Sequence, residues 1–306
     1  MFSIALNSII ILVICMAIGL LCRKKNLITD LGEPVLSALL INVTLPCIII
    51  VSMQREFNRE LFNKSMIVLV ASFLIHFAGY FLGLLLCKIL KASSAEKGVW
   101  VFSLIFSNLI YMGLPIIEAM YGQEAVFYVS MCTVAFNSLS FTLGIKVITK
   151  GYSQNSKSNL KKILFNIPMW ATFAGFIMFM FSISLPSPVY SALSSVGYMT
   201  TPLSMIIIGS ILAKNNIKTV FLGLKMYIMI FIRLIAFPLC ISFILNILIS
   251  DKTIVGVLTI VTAMPVATLA AIFAANYGSN RELASKFVFI STVLSVITIP
   301  IISLVI

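Results

Sequence analysis

Long apolar runs almost without charge constrain this chain more than any other feature of its sequence. Of its 306 residues, 61% are hydrophobic and only 10% are charged, whereas a soluble domain carries about 25% charged residues. A water-facing surface needs more charge than this, so the composition excludes soluble enzymes, nucleic-acid-binding domains and disordered proteins. The chain is therefore predicted to be an all-α integral membrane protein.

Ten runs are long and apolar enough to cross a bilayer as helices, which takes about 20 residues each. The first run has no basic stretch before it and its cations follow it, so we interpret it as an uncleaved span and not as a signal peptide. The six cysteines lie in or beside these runs and indicate small apolar side chains, not a disulfide or zinc framework. The predicted spans are 3–22, 35–53, 66–90, 99–120, 125–148, 163–183, 189–213, 219–250, 254–276 and 283–306.

Positive charge is distributed unevenly between the predicted loops. The loops after spans 1, 3, 5, 7 and 9 carry 16 lysines and arginines, whereas the loops on the other side carry four. Cytoplasmic loops of membrane proteins have such an excess of cations. We therefore expect a multi-pass protein of the cytoplasmic (plasma) membrane with both termini outside, and the net charge of +12 gives no reason to expect a nucleic-acid partner.

A polar segment at 149–162, predicted to be a cytoplasmic linker, divides the chain into halves of five spans each, 1–148 and 163–306. Homologous halves with an odd number of spans must have opposite orientations in the membrane. Identities at a spacing of 156 residues, together with the matching order of spans, predict two inverted five-helix repeats. The three identities pair Pro46 with Pro202, Tyr121 with Tyr277 and Gly122 with Gly278.

Prolines interrupt spans 4 and 9 at corresponding places. Proline disrupts a helix interior, and in lipid the freed backbone groups need partners within the protein or a water-filled cavity. We expect Pro115 and Pro265 each at the first position of a new half-helix, whose positively polarised N-terminus attracts an anion. The alternative is that both prolines only kink packed helices. The substrate-binding candidates in these spans are Asn108, Tyr111, Met112, Gly113, Pro115, Thr262, Met264, Pro265 and Thr268.

A second pair of prolines, Pro46 and Pro202, falls in spans 2 and 7. Asn42 and Thr44 precede Pro46 and are further substrate-binding candidates. These residues would line the substrate path, or they would only hydrogen-bond to a neighbouring helix. The sequence leaves both interpretations open.

Three stretches at these positions resemble the auxin efflux carrier family of permeases, which includes plant PIN carriers and bacterial malonate-type permeases. They are NVTLP at 42–46, SN at 107–108 followed by MGLP at 112–115, and MPVAT at 264–268 followed by ANYG at 275–278. Leu109 and Ile110 replace the Thr-Gly of many bacterial members. The resemblance implies a NhaA-like fold in which broken helices 4 and 9 cross. It also implies elevator-type transport of organic anions, with spans 1, 2, 6 and 7 as scaffold.

An ionisable residue inside the membrane is energetically unfavourable, so its presence there indicates a functional role. His76 falls near the middle of span 3, and Arg233 falls near the middle of span 8. The 156-residue repeat spacing places the counterpart of His76 one residue before Arg233. The pair would supply positive potential beside a carboxylate, or His76 would carry a coupling proton. The alternative is a neutral, hydrogen-bonded His76 and a structurally paired Arg233. Glu118 would bind a coupling cation, pair with Arg233 or face the outer vestibule.

These features favour a secondary active transporter of small organic anions, above all carboxylates. A sodium-coupled symporter of bile-acid type and a non-enzymatic receptor or channel remain alternatives, and the scarcity of acidic residues favours proton- or potential-linked transport. The sequence lacks H-E-x-x-H, G-x-S-x-G and P-loop motifs, so enzyme activity is not expected. We expect no cofactor or metal. The expected partners are a small organic anion, membrane lipid and a coupling proton or sodium, with a homodimer left open.

Overall fold

The structure, a computed structural model, describes residues 2–149, 167–214, 223–277 and 279–306. Helices dominate these ranges, which contain no β-strand, so the all-helical prediction is confirmed. The linker predicted at 149–162 lies outside the described residues except for Thr149, and so do Gly278 and parts of spans 6 and 8. The thirteen helices of the described ranges are α1 (Phe2–Lys24), α2 (Gly32–Ser52), α3 (Arg59–Ile89), α4 (Ser94–Ile105), α5 (Leu109–Tyr121), α6 (Gln123–Ile148), α7 (Ile167–Met180), α8 (Ser187–Gly197), α9 (Thr200–Lys214), α10 (Leu224–Leu248), α11 (Lys252–Ala263), α12 (Leu269–Asn276) and α13 (Arg281–Ser303).

Within the described ranges, six helical stretches are long and apolar enough to cross a membrane: α2, α3, α6, α10, α13 and the stretch Ser187–Ile211 formed by α8 and α9. Their ends differ from the predicted spans by a few residues. The largest difference is at α3, which begins at Arg59 and not at residue 66. Polar side chains support these additional residues, since Asn58 Oδ1 accepts from the Glu60 N–H at 2.8 Å and Lys64 pairs with Glu60 at 2.7 Å.

Three helices accommodate an internal proline through one wide π-helical turn. These turns span Leu40–Thr44, Leu109–Gly113 and Ile232–Ala236, and each ends two residues before a proline. The proline ring clashes with the carbonyl four residues earlier in a regular α-helix. A π-turn bonds each carbonyl to the amide five residues later, which widens the turn at this point. The chain therefore stays helical through Pro46, Pro115 and Pro238.

Contacts group the chain into two compact units, of which the first comprises Met1–Leu69, Ile110–Val134 and Phe165–Asn216. In this unit α2 packs against α7 and α8, and α1 packs against α9. Glycines bring α1 and α9 into backbone contact, because a Cβ placed on Gly209 would overlap the Met16 carbonyl oxygen. Small residues allow the same close approach in other membrane helix pairs.

The second unit comprises Val70–Leu109, Ala135–Leu164 and Ile217–Ile306. Two short helices form its core, since residues 98–105 of α4 and 254–263 of α11 are all buried. A helix that is apolar on every side belongs in such a core. The carboxyl-terminal ends of α4 and α11 are therefore also buried, and there the backbone becomes extended at Phe106 and Met264.

Candidate functional site

The extended segments that follow α4 and α11 run antiparallel to each other within the second unit. The Asn108 N–H donates to the Pro265 carbonyl at 2.8 Å, and the Ala267 N–H donates to the Phe106 carbonyl at 3.1 Å. Backbone that leaves a helix at membrane depth needs such partners within the protein. The two interruptions predicted from the prolines of spans 4 and 9 therefore meet as a short paired segment.

A serine side chain supports this pairing from α13. Ser107 and Val266 form the central antiparallel bridge, and the Val266 N–H donates to Ser291 Oγ at 3.1 Å. Ser291 is fully buried and donates its own hydroxyl to the Val288 carbonyl. Sequence reasoning missed Ser291, because nothing in the local pattern of α13 indicates its partner 25 residues earlier.

The two prolines differ in how they fit the predicted first positions of half-helices. Pro115 lies in the first turn of the α-helical part of α5, Leu114–Tyr121, which continues the π-turn Leu109–Gly113. The prediction is wrong for Pro265, which lies in the extended segment ahead of α12, and α12 begins only at Leu269. The physical reason is that the Pro265 carbonyl accepts the Asn108 N–H, which holds this segment in extended pairing. Proline suits such a position because it has no N–H to leave unpaired.

Arg233 lies in the π-turn of α10 and is 2% exposed. Its Nη1 donates to the Thr262 carbonyl at 2.8 Å, near the carboxyl-terminal end of α11, where the helix dipole favours a cation. Within the described ranges Arg233 forms no ion pair, and its Nε and Nη2 have no hydrogen-bond partner. A buried guanidinium without a counter-ion is destabilising.

His76 lies on α3 and is 4% exposed. Its Nδ1 is 2.7 Å from the Ser72 carbonyl, which can only accept, so Nδ1 carries a proton. The ring packs beside Phe106 and Phe136, with centroids 5.6 and 6.4 Å away. In the part of the chain that the structure describes, Nε2 has no partner.

His76 and Arg233 line one small cavity in the second unit. Its volume is about 10 Å³, which is about the space that the centre of one water molecule needs. Ser72, Ser107 and Thr262 also contribute to its wall, and the other lining residues are apolar. Sequence reasoning missed Ser72 and Ser107. The spacing of four residues between Ser72 and His76 would have placed Ser72 on the same face of α3.

The remaining candidates of the second unit differ in what their polar groups do. Asn108 is 3% exposed, and its Nδ2 has no partner among the described residues. The Thr262 hydroxyl donates to the Leu258 carbonyl of its own helix at 2.7 Å, so this hydrogen is already used in a hydrogen bond. Thr268 precedes α12 without a side-chain capping bond. The structure brings seven candidates together in this unit, namely His76, Asn108, Arg233, Thr262, Met264, Pro265 and Thr268.

The other seven candidates belong to the first unit. Glu118 Oε2 accepts from the Thr201 hydroxyl at 3.1 Å, beside Pro202. The Thr44 hydroxyl donates to the Leu40 carbonyl of its own helix at 3.2 Å, and Asn42 is exposed. The members of this group are Asn42, Thr44, Tyr111, Met112, Gly113, Pro115 and Glu118.

Comparison with known proteins decides the family. A family model described as membrane transport protein matches residues 4–303, which is nearly the whole chain. The chain belongs to the membrane transport protein family. This family is of the auxin efflux carrier type, so the resemblance carried by residues 42–46, 107–115 and 264–278 is confirmed.

Two archaeal relatives match this chain over almost its full length. An uncharacterized transporter of Methanocaldococcus jannaschii is 22% identical over 304 residues, which cover 97% of each chain. An uncharacterized transporter of Methanothermobacter thermautotrophicus is 25% identical over 314 residues, which cover 97% of this chain and 96% of the relative. Together with the apolar helices, membership identifies a multi-pass membrane transporter and not an enzyme.

Proposed function

We propose that this protein is a secondary active transporter of small organic anions, above all carboxylates, in the cytoplasmic membrane. The observation that carries the proposal is the buried guanidinium of Arg233, which has no carboxylate partner within the described ranges. An anionic substrate is the partner that would offset this charge. The position of Arg233 beside the paired segments supports a substrate site at that pairing.

Neutral groups beside the paired segments would complete this site. The Asn108 amide is a buried donor at the segment that follows α4, and it has no partner in the described chain. Thr268 and the start of α12 add backbone N–H groups with partial positive charge. Recognition by helix dipoles, a neutral amide and the buried guanidinium suits a carboxylate, because these groups together offset its negative charge in a low-dielectric core.

The proposed architecture consists of ten transmembrane helices as two inverted repeats, 1–148 and 163–306. The 156-residue spacing of the repeated prolines and Tyr-Gly pairs supports it, as does the occurrence of one interruption in each half. The distribution of 16 cations against four supports cytoplasmic loops after spans 1, 3, 5, 7 and 9, with both termini outside.

The proposed mechanism is elevator-type alternating access, in which the part of the protein that holds the substrate moves as a body. The second unit contains both paired segments and the Arg233 cavity, and it forms a compact set of contacts. This composition supports its role as the moving body. The substrate stays bound to the same residues while access changes from one side of the membrane to the other.

Uptake of labelled mono- and dicarboxylates into proteoliposomes tests the proposal. We expect saturable, protein-dependent uptake of at least one carboxylate and no uptake of a cationic amine of the same size. Replacing sodium by choline separates the alternatives, since a sodium-coupled symporter would lose uptake and the proposed carrier would retain it. The proposal fails if no carboxylate enters the vesicles, or if flux does not saturate, as in a channel.

A further inference from the structure

The cavity between His76 and Arg233 is built from buried polar atoms that leave their hydrogen-bonding capacity unused. The Arg233 Nε and Nη2 and the His76 Nε2 are three such atoms, all without a partner within the described part of the chain. Both side chains are more than nine-tenths buried. Buried polar groups normally find a partner, so the cavity indicates a bound species that completes them.

Charge determines what this species is. Arg233 carries a permanent positive charge, and it is the single charged side chain among the described residues that line the cavity. A water molecule would supply hydrogen bonds but would leave that charge uncompensated. An anionic group supplies both. The volume of about 10 Å³ fits a group of water size, such as a halide ion or one carboxylate oxygen.

The hydrogen bond of His76 determines how the histidine responds to an anion. Because Nδ1 donates to the Ser72 carbonyl, a neutral His76 presents the lone pair of Nε2 as its remaining polar site. A lone pair repels an anion, whereas a protonated Nε2 donates to it. Arg233 is the titratable group facing His76 from α10, and the α11 residues lining the cavity, Thr262 among them, are uncharged. The charge of Arg233 disfavours a second proton until an anion neutralises it.

We propose that this cavity binds one compact anionic group together with one proton, which hydronium from bulk solvent delivers to His76 Nε2, leaving a water molecule. The inference deepens the proposed function and rests on it, because it names the anion subsite and makes the proton the coupling ion. In the bound state, the cavity then holds one anion beside two positive charges, on Arg233 and on His76. In the empty state, the only charge on the described lining residues is that of Arg233.

Isothermal titration calorimetry of the purified full-length protein with sodium formate and sodium chloride tests the proposal. Repeating each titration near neutral pH in two buffers with different ionisation enthalpies gives the number of protons taken up. We expect formate to bind with uptake of about one proton per anion. Chloride binding with the same uptake would identify a site that also accepts a free halide, whereas binding of formate alone would identify a subsite for the substrate's carboxylate.

Variants separate the roles of the two side chains. We expect Arg233→Gln to weaken formate binding by about 10- to 100-fold and Arg233→Lys to retain most of it. His76→Gln should bind formate more weakly and without proton uptake. Thr298→Val is the matched control, because it removes a buried hydroxyl of α13 that does not line the cavity. It should bind formate as the unaltered protein does, with the same proton uptake.

Failure of this inference can be distinguished from failure of the proposed function. Formate binding without proton uptake, or unchanged binding in Arg233→Gln, would overturn the inference even if carboxylates are transported. Absence of binding by both anions to the unaltered protein would overturn it as well, and this result needs no variant to fold. Proton-coupled formate binding without any carboxylate flux would overturn the proposed transport and leave the subsite in place.

Discussion

Asn108, His76 and Arg233 each bury a nitrogen that has no hydrogen-bond partner in the described ranges. An unpaired buried polar group costs about 1–3 kcal/mol in the free energy of unfolding. A protein tolerates such a cost where a ligand supplies the missing bond, and intramembrane ionisable residues occur mainly at such places. At the scale of single residues, the proposed site in the second unit would therefore lower the stability of the ligand-free protein and favour ligand binding.

Replacing Asn108 by leucine tests whether an unpaired buried amide lowers stability and is needed for binding. We expect Asn108→Leu to raise the free energy of unfolding of the ligand-free protein by about 1–3 kcal/mol, because it removes an unpaired buried amide. The same variant should lose carboxylate uptake. Thermal unfolding in detergent and uptake into proteoliposomes are the measurements.

The matched control for Asn108 is Asn137→Leu, since Asn137 is 3% exposed and its Nδ2 also has no partner within the described chain. It should be stabilised similarly and transport normally. A destabilised Asn108→Leu protein, or one that transports at the normal rate, would contradict the role given to Asn108.

At the scale of helices, the sequence predicts where most of them lie but not the π-turns within them. Apolar runs locate α3, α6, α10 and α13 to within several residues, because crossing lipid imposes a length and a composition. The π-turns leave no comparable periodicity, so the sequence does not predict the wide turn Leu109–Gly113 ahead of Pro115. The bond from Arg233 to the Thr262 carbonyl joins residues 29 positions apart. It depends on packing of α10 against α11, which no local pattern contains.

Pro238 positions Arg233 through the π-turn Ile232–Ala236. Pro238→Ala restores an N–H and removes the ring clash, so the turn can tighten to an α-helix and rotate Arg233 away from α11. We expect carboxylate uptake to fall about 10- to 100-fold, with circular dichroism unchanged. Pro300→Ala, which changes the proline inside α13, is the control and should transport normally. Equal carboxylate uptake by both variants would contradict the role given to the π-turn in positioning Arg233.

Close packing of α1 on α9 in the first unit is a second property of helices that can be tested. We expect Gly209→Ala to lower the free energy of unfolding by about 1–3 kcal/mol, because its Cβ would overlap the Met16 carbonyl oxygen. Gly223→Ala is the control, since a Cβ there meets no atom of the described residues within 4 Å. Thermal unfolding of the two variants should separate them, and equal midpoints would argue against the backbone contact.

At the scale of the whole molecule, family membership establishes a transporter, and the charge distribution predicts its orientation. The loop after α10 contains Asp251 and is predicted outside, and the loop after α3 contains Ala92 and is predicted inside. Alkaline phosphatase, which is active only outside the cytoplasm, should be active when fused after Asp251 and inactive when fused after Ala92. The opposite pattern, with equal expression, would invert the proposed topology.

Counterflow tests most directly whether one anion site is exposed alternately to the two sides of the membrane. Proteoliposomes are loaded with an unlabelled carboxylate that the protein transports and diluted into the same compound carrying a label. A carrier with one alternating site predicts transient accumulation of label above its equilibrium level, and the Arg233→Gln variant should lose this overshoot. A monotonic approach to equilibrium in the unaltered protein, as through an open pore, would contradict the proposed mechanism.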